Sequence, residues 1–350
     1  MKIICLNNYS LEDSFRKCEK GVFPNNHLWG IGFIRKEKII CDILPFKKFN
    51  LLKKISFKML VGDLDQQIRL LKMLLREKYD YIYTAHQNTI WFIAYLRKIF
   101  TGIPPIIAVL HSCPIFRNRI IEKILLFHLS RLDKIVCITR IDYEYLLSRG
   151  FSVDKVYYSE EGADCGFYKP LKKERNIILS VGKTRRDYLT LCEAVKDLDI
   201  RCFIVCEEGN ISYINKEKYE NVMFLTKYIS YEKLFDLYNS AIAVVVPLSG
   251  INRKNGSTSL YEALAMGRPA LVTRKDNICV DVEKHECGFS YGEKNSIELR
   301  EKLEILINDI DMADRLGRNA RLLVEKYYDT SKFGRLLSDI ILNTSAKKTI

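Results

Sequence analysis

The chain has 350 residues, of which 48% are hydrophobic and 28% are charged, so its composition is that of a folded globular protein and not of a disordered one. This length suits two domains of ordinary size better than one core. The formal net charge of +13 is compatible with nucleic acid, anionic lipid or phosphorylated ligands, and it selects none of them.

Targeting and redox signals favour the cytoplasm. The apolar runs at 120–129 and 241–248 are too short or too interrupted to cross a bilayer, which needs about 20 residues. The first residues, "MKIICLNNY", lack the apolar stretch and cleavage site of a signal peptide. The eleven cysteines are odd in number and form no C-x-x-C pair, and many lie in apolar runs, as reduced core residues do. We therefore expect a cytoplasmic protein.

Two series of strands and helices follow one another along the chain. The first begins with "KIICL" and continues through "YIYTA", "IIAVLH" and "KIVCIT" to "KVYYS", with amphipathic helical patterns between the strands. The second begins with "NIILSVG" and continues through "RCFIVCE", "VMFLT" and "IAVVVPL" to "PALVT". The alternation predicts an α/β fold with two Rossmann-like domains, each built on a parallel sheet. Between them, "EEGADCGFYKPLKKER" is typical of an interdomain linker.

A basic turn follows the first strand of the second series. Lys183, Arg185 and Arg186 lie between that strand and the next helix. Cations at a strand-to-helix turn can neutralise a diphosphate, and the helix N-terminus adds partial positive charge. The alternative is a solvated basic loop. No Walker loop is present, because the G-x-x-x-x-G-K-[ST] pattern does not occur.

A second half-site is predicted before the helix "STSLYEALA". The loop "SGINRKNGS" ends in Gly256, and the helix then begins with Ser257 and Thr258. Backbone N–H groups at a helix start bind anions, and glycine lets a phosphate approach closely. Glu262, one to two turns into the helix, can accept two hydrogen bonds from a vicinal diol such as ribose. The alternative is an N-capped core helix with an exposed glutamate.

Four segments together resemble one family. "GSTSLYEALAMGRPALVT" resembles the nucleotide-sugar signature of retaining glycosyltransferases with the GT-B architecture, the family-4-like group. "VGKTRRDYLTLCEAV", "EEGADCGFYKP" and "ISYEKLFDLYNSAIAVVVPL" resemble the segments that precede this signature in the family, in the same order. The resemblance is good over about residues 130–345 and weak over the first 100.

The resemblance implies a domain plan and a chemistry. The plan is an acceptor-binding domain at 1–160 and a nucleotide-sugar-binding domain at 161–328, facing a central cleft, with a helix at 329–350 that returns to the first domain. Glu262 would bind the donor ribose. Retaining transfer would need no covalent nucleophile, no metal and no cofactor, because Lys183, Arg186 and the backbone amides at 256–258 can stabilise the leaving diphosphate.

One departure from the family pattern concerns the donor sugar. The family usually has a second glutamate eight residues before the ribose-binding one, and here that position is Lys254. We expect Lys254, Asn255 and Gly256 to contact the donor together with Ser257 and Thr258. A lysine would pair with phosphate or an acidic sugar, so donor choice is in question.

The first domain offers candidates for the acceptor side. His111 follows the strand "IIAVL" and resembles the family's cleft histidine, which lies close to the donor sugar; the alternative is a capping or packing residue. In the loop "NYSLEDSFRKCEKGVFPNNHLWG", His27, Trp29 and Gly30 are predicted to contact the acceptor, or else to hold the loop on the core.

Two further patterns each have a structural and a functional interpretation. Asp63 and Asp65 form a D-x-D pair, but their place at the start of an amphipathic helix favours an N-cap and a surface acid over a metal site. Residues 46–62, "FKKFNLLKKISFKMLVG", give an apolar stripe beside a basic face, which suits an anionic membrane surface as well as an ordinary surface helix.

The sequence thus predicts a glycosyltransferase (hexosyltransferase class, EC 2.4). It would move a sugar from a nucleoside diphosphate sugar to a glycan or polyprenyl-diphosphate-linked acceptor, in cell-surface polysaccharide synthesis, on the inner face of the membrane. The alternatives are a non-catalytic accessory protein with the same fold, which Lys254 favours, and a nucleotide-sugar epimerase, for which no second acid and histidine pair is seen. No motif supports nucleic-acid binding.

Overall fold

The computed structural model of the chain describes residues 1–37, 39–47, 61–113, 119–250, 257–276 and 278–346. It divides into two compact units, which we call unit 1 (Met1–Glu161 with Thr330–Ile350) and unit 2 (Gly162–Asp329). In the described ranges, no helix combines the length and the hydropathy that a membrane crossing requires.

Unit 1 is built on a parallel sheet with the strand order β2-β1-β3-β4-β5-β6. Its strands are β1 (Lys2–Leu6), β2 (Ile40–Ile43), β3 (Tyr81–Thr84), β4 (Ile106–Leu110), β5 (Lys134–Cys137) and β6 (Val156–Tyr158). Its first helices are α1 (Leu11–Glu19), α2 (Ile31–Ile34), α3 (Leu64–Leu74), α4 (Trp91–Ile99), α5 (Arg119–Ser130) and α6 (Arg140–Ser148), with 3₁₀ turns at Asn25–Leu28, Arg35–Glu37 and Gln87–Thr89.

Unit 2 repeats this plan with the strand order β12-β11-β10-β7-β8-β9, again parallel. The strands are β7 (Ile177–Val181), β8 (Arg201–Val205), β9 (Val222–Leu225), β10 (Ala241–Val246), β11 (Ala270–Thr273) and β12 (Gly288–Tyr291). The helices are α7 (Tyr188–Val195), α8 (Tyr231–Ser240), α9 (Ser257–Ala265), α10 (Ser296–Asn308) and α11 (Ile310–Leu323), with 3₁₀ turns at Glu208–Asn210 and Lys216–Lys218 and a π-helical turn at Val324–Tyr328.

Each sheet has a hydrophobic cluster on both faces, which explains why its strands are almost entirely apolar. β4 and β10 are buried along their whole length. Helices cover these faces. Several begin at a side chain that accepts a hydrogen bond from the backbone N–H three residues on, as at Ser10, Thr139, Asp187, Ser230 and Asn295.

The last helix, α12 (Thr330–Ala346), belongs to unit 1, where it packs on α2. Phe333 and Leu337 enter the same hydrophobic cluster as Leu28 and Trp29. The contact is close because two glycines face each other: a Cβ on Gly30 would lie 3.3 Å from the Cα of Gly334. The C-terminal segment therefore completes the core of the unit that contains the N-terminus.

Candidate active site

Arg186 is the centre of the site in unit 2. It lies on the loop between β7 and α7 and is only 8% exposed. Its Nη1 donates to the carbonyl of Thr184 (2.6 Å), and its Nη2 donates to Oγ of Ser259 in the first turn of α9 (2.9 Å). The guanidinium lies directly over Gly182, where a Cβ would be 2.5 Å from Nε. A glycine is therefore needed at the end of β7 because the side chain of Arg186 fills the space.

Backbone bonds hold this loop against the loop that follows β10. The N–H of Asp187 donates to the carbonyl of Pro247 (2.8 Å), and the N–H of Ser249 donates to the carbonyl of Arg185 (3.1 Å). Arg186 and Leu248 form an isolated antiparallel bridge between these bonds. The basic turn and residues 247–249, which are far apart in the sequence, thus lie together at the carboxyl ends of the adjacent strands β7 and β10.

The charge of Arg186 is uncompensated among the described residues. None of the ion pairs there includes it, and its Nε has no hydrogen-bond partner there. Burial lowers the pKa of the guanidinium, because the charged form loses its hydration. A buried cation without a counter-ion is costly to a protein, so the arrangement favours an anion as its partner.

The other two predicted cations are placed differently. Lys183 and Arg185 are exposed, and Lys183 forms a surface ion pair with Glu207 at 3.5 Å between Nζ and Oε1. Such an exposed pair contributes only about 0–1 kcal/mol, so it leaves the lysine available to a stronger anionic partner. Arg185 has a positive φ of 49°, which the turn between β7 and α7 imposes.

The start of α9 contributes polar groups beside Arg186. Ser257 and Ser259 are buried, and Thr258 is half-buried. The first backbone N–H groups of a nine-residue helix have no intrahelical acceptor and point toward its N-terminal end. Lys254, Asn255 and Gly256, predicted to contact the donor, lie outside the described residues.

Glu262 is buried between two tyrosines. It is 7% exposed, so the alternative of an exposed glutamate is wrong. Its Oε1 accepts a hydrogen bond from Oη of Tyr168 (2.7 Å), and its Oε2 accepts one from Oη of Tyr238 (3.1 Å). A carboxylate has about four acceptor positions, so two phenols do not fill it. The two phenols therefore fix the rotamer of the predicted ribose-binding group.

Neither tyrosine was predicted from the sequence. Both lie in segments already notable there, Tyr168 in "EEGADCGFYKP" and Tyr238 in "YNSAIAVVVPL". The available signal is chemical, because a buried tyrosine hydroxyl needs a partner and a buried carboxylate needs donors. Burial, followed by the charge of Glu262, raises the pKa of both phenols, so they remain donors.

In unit 1, the ring of His111 packs on two other aromatic rings, stacked on His86 and edge-on to Trp29. Its ring is 4.7 Å from that of His86 and 4.6 Å from that of Trp29, between centroids. Its Nε2 lies 2.8 Å from the carbonyl oxygen of Ala85, and because a carbonyl oxygen only accepts, Nε2 is the donor of this hydrogen bond. His86 and His111 follow the adjacent strands β3 and β4. A second histidine at this edge of the sheet was not predicted.

The predicted acceptor residues lie in or against the core of unit 1. Trp29 is buried, donates from Nε1 to Oη of Tyr9 (2.8 Å) and contacts Phe333. His27 lies on Phe23, and burial lowers its pKa. Gly30 meets α12, as described above. The ring of Trp29 and the missing side chain of Gly30 are both used in packing, so the loop is held on the core. A contact of these residues with the acceptor stays a prediction.

The D-x-D pair serves the fold. Asp63 is the N-cap of α3 and accepts from the N–H of Gln66 (3.1 Å), and Asp65 pairs with Arg69 (2.9 Å), so the predicted N-cap is confirmed. Within the described ranges, no group of three His, Cys, Asp or Glu side chains is placed to hold a metal ion.

Comparisons with known proteins identify the fold. Residues 167–323 match the family model described as Glycosyl transferases group 1, and this range contains Arg186, Ser259 and Glu262. Sucrose-phosphate synthase from Thermosynechococcus elongatus has a TM-score of 0.75 at 15% identity, with 99% of this chain and 100% of that chain covered.

Two other solved structures agree. HepE from Anabaena, crystallised with UDP, has a TM-score of 0.71 at 14% identity over 98% of this chain and 100% of that chain. A glycosyltransferase from Rickettsia africae has a TM-score of 0.70 at 16% identity over 97% and 98%. Likenesses at such identities show the fold, and the predicted class, α/β with two Rossmann-like domains in the GT-B architecture, is confirmed.

The family match over 167–323 and the GT-B fold agree. The chain is a glycosyltransferase (EC 2.4).

Proposed function

We propose that this glycosyltransferase moves a sugar from a nucleoside diphosphate sugar to a glycan or lipid-linked acceptor, with retention, in cell-surface polysaccharide assembly. The observation that carries the donor class is Arg186, a buried cation with no counter-ion among the described residues, held at the start of α9. A diphosphate supplies the missing charge, and the helix N-terminus adds hydrogen-bond donors.

The donor binds in unit 2 in two parts. The diphosphate lies between Arg186 and the first turn of α9, with Lys183 at the exposed side. The ribose hydroxyls donate to Glu262, whose carboxylate Tyr168 and Tyr238 already orient. HepE from Anabaena has been crystallised with UDP-glucose, so uridine nucleotides are the first donors to test.

Transfer follows from stabilising the leaving group. The bond between the anomeric carbon and the diphosphate oxygen breaks, and negative charge accumulates on the diphosphate. Arg186, the amides of α9 and Lys183 stabilise this charge, which is where preorganised donors lower a barrier most. The acceptor hydroxyl then bonds to the same face of the sugar, and its proton passes to the departing phosphate. No metal ion is needed in this scheme.

Unit 1 binds the acceptor. His111 is the residue of unit 1 to which the resemblance gives a part in transfer, and its Nε2 is held 2.8 Å from the carbonyl oxygen of Ala85. Segment 46–62 would contact an anionic membrane surface; most of it lies outside the described residues, and this contact stays a prediction.

A non-catalytic accessory protein is the second candidate. The one observation that favours it is Lys254, which replaces the glutamate that the resemblance predicts at that position. A nucleotide-sugar epimerase is third, and no described residue adds support for it.

A thermal-shift screen tests the donor site. The full chain is heated with UDP, GDP, ADP, CMP and their sugars, with Arg186→Ala and Arg318→Ala variants beside the wild type. Arg318 is an exposed arginine of the same unit and serves as the matched control. Ligand at 100 times its Kd stabilises the native state by about 2.7 kcal/mol, which is easily measured.

We expect one nucleotide and its sugar to raise the Tm of the wild type and of Arg318→Ala, but not of Arg186→Ala. Hydrolysis or transfer of the stabilising donor then separates an enzyme from a binder. If no nucleotide shifts the wild type, the donor site is refuted and the accessory-protein interpretation takes its place.

A further inference from the structure

Helices α4 and α5 of unit 1 expose large apolar side chains. Ile99 is 73% exposed, Ile120 is 70% exposed and Phe127 is 44% exposed, while Phe100 and Ile124 are also exposed. Single exposed apolar residues are ordinary on protein surfaces, but a cluster of them marks an interaction site. We call the exposed face formed by these five residues the α4–α5 surface.

The α4–α5 surface is continuous. On α5, Ile120, Ile124 and Phe127 are spaced by four and three residues, so they lie along one side of the helix. The ring of Phe127 contacts Tyr95 of α4, with centroids 5.4 Å apart, and Ile99 is one turn beyond Tyr95. The apolar stripe thus passes from one helix to the next.

Positive charge borders these apolar residues. On α5, Lys123 lies on the same side of the helix as Ile120 and Phe127. Arg131 follows that helix, with its guanidinium over the ring of Phe127, and Lys98 directly precedes Ile99. In the described part of the chain, none of these three cations forms an ion pair. The sequence from 91 to 132 contains six Lys or Arg and one acidic residue.

That single acid faces away from the α4–α5 surface. Glu122 is buried, and it accepts hydrogen bonds from Tyr145 and Arg149. The nearby cations also affect Lys155. Its pKa falls to about 8, first because the side chain is buried and then because Lys98 and Arg131 repel its charge, an effect that Asp133 partly offsets. The field at this face is therefore positive.

We propose that the α4–α5 surface docks on an anionic phospholipid bilayer. Aliphatic and aromatic side chains enter the interface between headgroups and acyl chains, and the bordering Lys and Arg meet lipid phosphates. A nucleic acid would satisfy the cations but not the exposed isoleucines, and a second copy of the chain would bring cations against cations. The five residues of the α4–α5 surface share no position with segment 46–62 or with the predicted donor-site residues.

Vesicle flotation with the full-length chain tests the proposal. Vesicles of neutral phosphatidylcholine alone are compared with vesicles containing anionic phosphatidylglycerol. The apolar variant is Ile120→Ser with Phe127→Ser, and its control is Leu75→Ser, an isoleucine-sized side chain of unit 1 that is 87% exposed outside this surface. The charge variant is Lys98→Glu with Lys123→Glu, and its control is Lys20→Glu, another exposed lysine of unit 1.

We expect binding to anionic vesicles only, weakened by salt, and reduced at least tenfold by each double variant but not by either control. Equal binding to neutral vesicles, or full binding by both double variants, would overturn the proposal. So would a concentration-dependent dimer in light scattering that Ile120→Ser with Phe127→Ser abolishes, because the surface would then join two copies. The thermal shift with nucleotide is measured on every variant, so loss of membrane binding is distinguished from loss of the donor site.

Discussion

The two units share a fold and differ in how their functional side chains are held. In unit 2, the predicted cation Arg186 and the predicted acid Glu262 converge at one edge of the sheet with polar partners of their own. In unit 1, Trp29 and Gly30 of the predicted acceptor loop are used in packing against α12. A diphosphate is the same group in every nucleoside diphosphate sugar, so a turn and a helix start can be built to bind it. Acceptors differ from one another, so a loop that binds an acceptor has no constant residue pattern.

The largest expected effect concerns the charge in unit 2. Arg186→Ala should lower kcat by roughly 10²–10³, the cost of losing one donor to a developing anion. Folding should not suffer in the same way, because Arg186 has no counter-ion among the described residues and removing such a buried cation relieves a desolvation cost. Steady-state kinetics and thermal melts on the same samples check both. If Arg186→Ala has a much lower Tm than Arg318→Ala but an unchanged kcat, Arg186 serves the fold and not catalysis.

The next effect concerns packing in unit 1. Gly30→Ala should lower the free energy of unfolding by about 2 kcal/mol, because φ is +81° there and the new methyl group meets Leu337 and Gly334 at 3.0 and 3.3 Å. Gly21→Ala is the matched control, since Gly21 also has a positive φ but no atom within 4 Å of its Cβ position. Denaturant titration of both separates backbone strain from crowding. Equal losses in the free energy of unfolding for the two variants would mean that crowding against α12 adds nothing to the backbone strain.

A smaller effect sharpens the assignment of Glu262. Tyr238→Phe should weaken UDP binding about tenfold. One hydrogen bond to a charged group is worth roughly 1.5–3 kcal/mol, and the hydrogen bonds from the ribose to Glu262 make up for part of this loss. The loss should be much less for 2′-deoxy-UDP if the carboxylate binds the ribose diol. Isothermal titration with both nucleotides gives the ratio, and Tyr228→Phe, at an exposed tyrosine of the same unit, is the control. An unchanged ratio would leave Glu262 a purely structural acid.

The smallest expected effect concerns Lys155 and the positive charges near it in unit 1. Lys155 has a pKa of about 8 in the folded chain, against about 10.4 when unfolded. Between these values the unfolded state binds more protons, so the free energy of unfolding rises with pH there, and the cost of the charged lysine is fully present at pH 7. Lys155→Met should therefore raise the Tm at pH 7 by about 2 °C.

This gain should shrink as the pH approaches 10. Lys20→Met, at an exposed lysine, should show no such trend. A gain for Lys155→Met that is the same at pH 7 and pH 10 would show that packing, and not charge, is responsible.

The sequence predicted most of the fold and part of the site. Strand and helix patterns gave the two Rossmann-like domains, and spacing gave the N-cap Asp63 and the basic turn, because these depend on neighbours a few residues away. The tyrosines on Glu262 and the glycine contact between α2 and α12 depend on residues 24 to about 300 positions apart, which no spacing reveals. The run 120–129 showed its hydrophobicity in the sequence, but the exposed side of α5 depends on what packs against its other side.

The partners of Glu262 also link binding to folding of unit 2. Tyr168 lies near the start of the unit, Tyr238 lies in the last turn of α8, and Glu262 lies on α9, so three segments must be in place before the carboxylate is held. A chain that ends before α9, or that has lost the start of the unit, lacks either Glu262 or one of the tyrosines that donate to it. Nucleotide should therefore protect only the complete unit from proteases, and retention on an immobilised nucleotide would select correctly folded molecules from a mixed preparation.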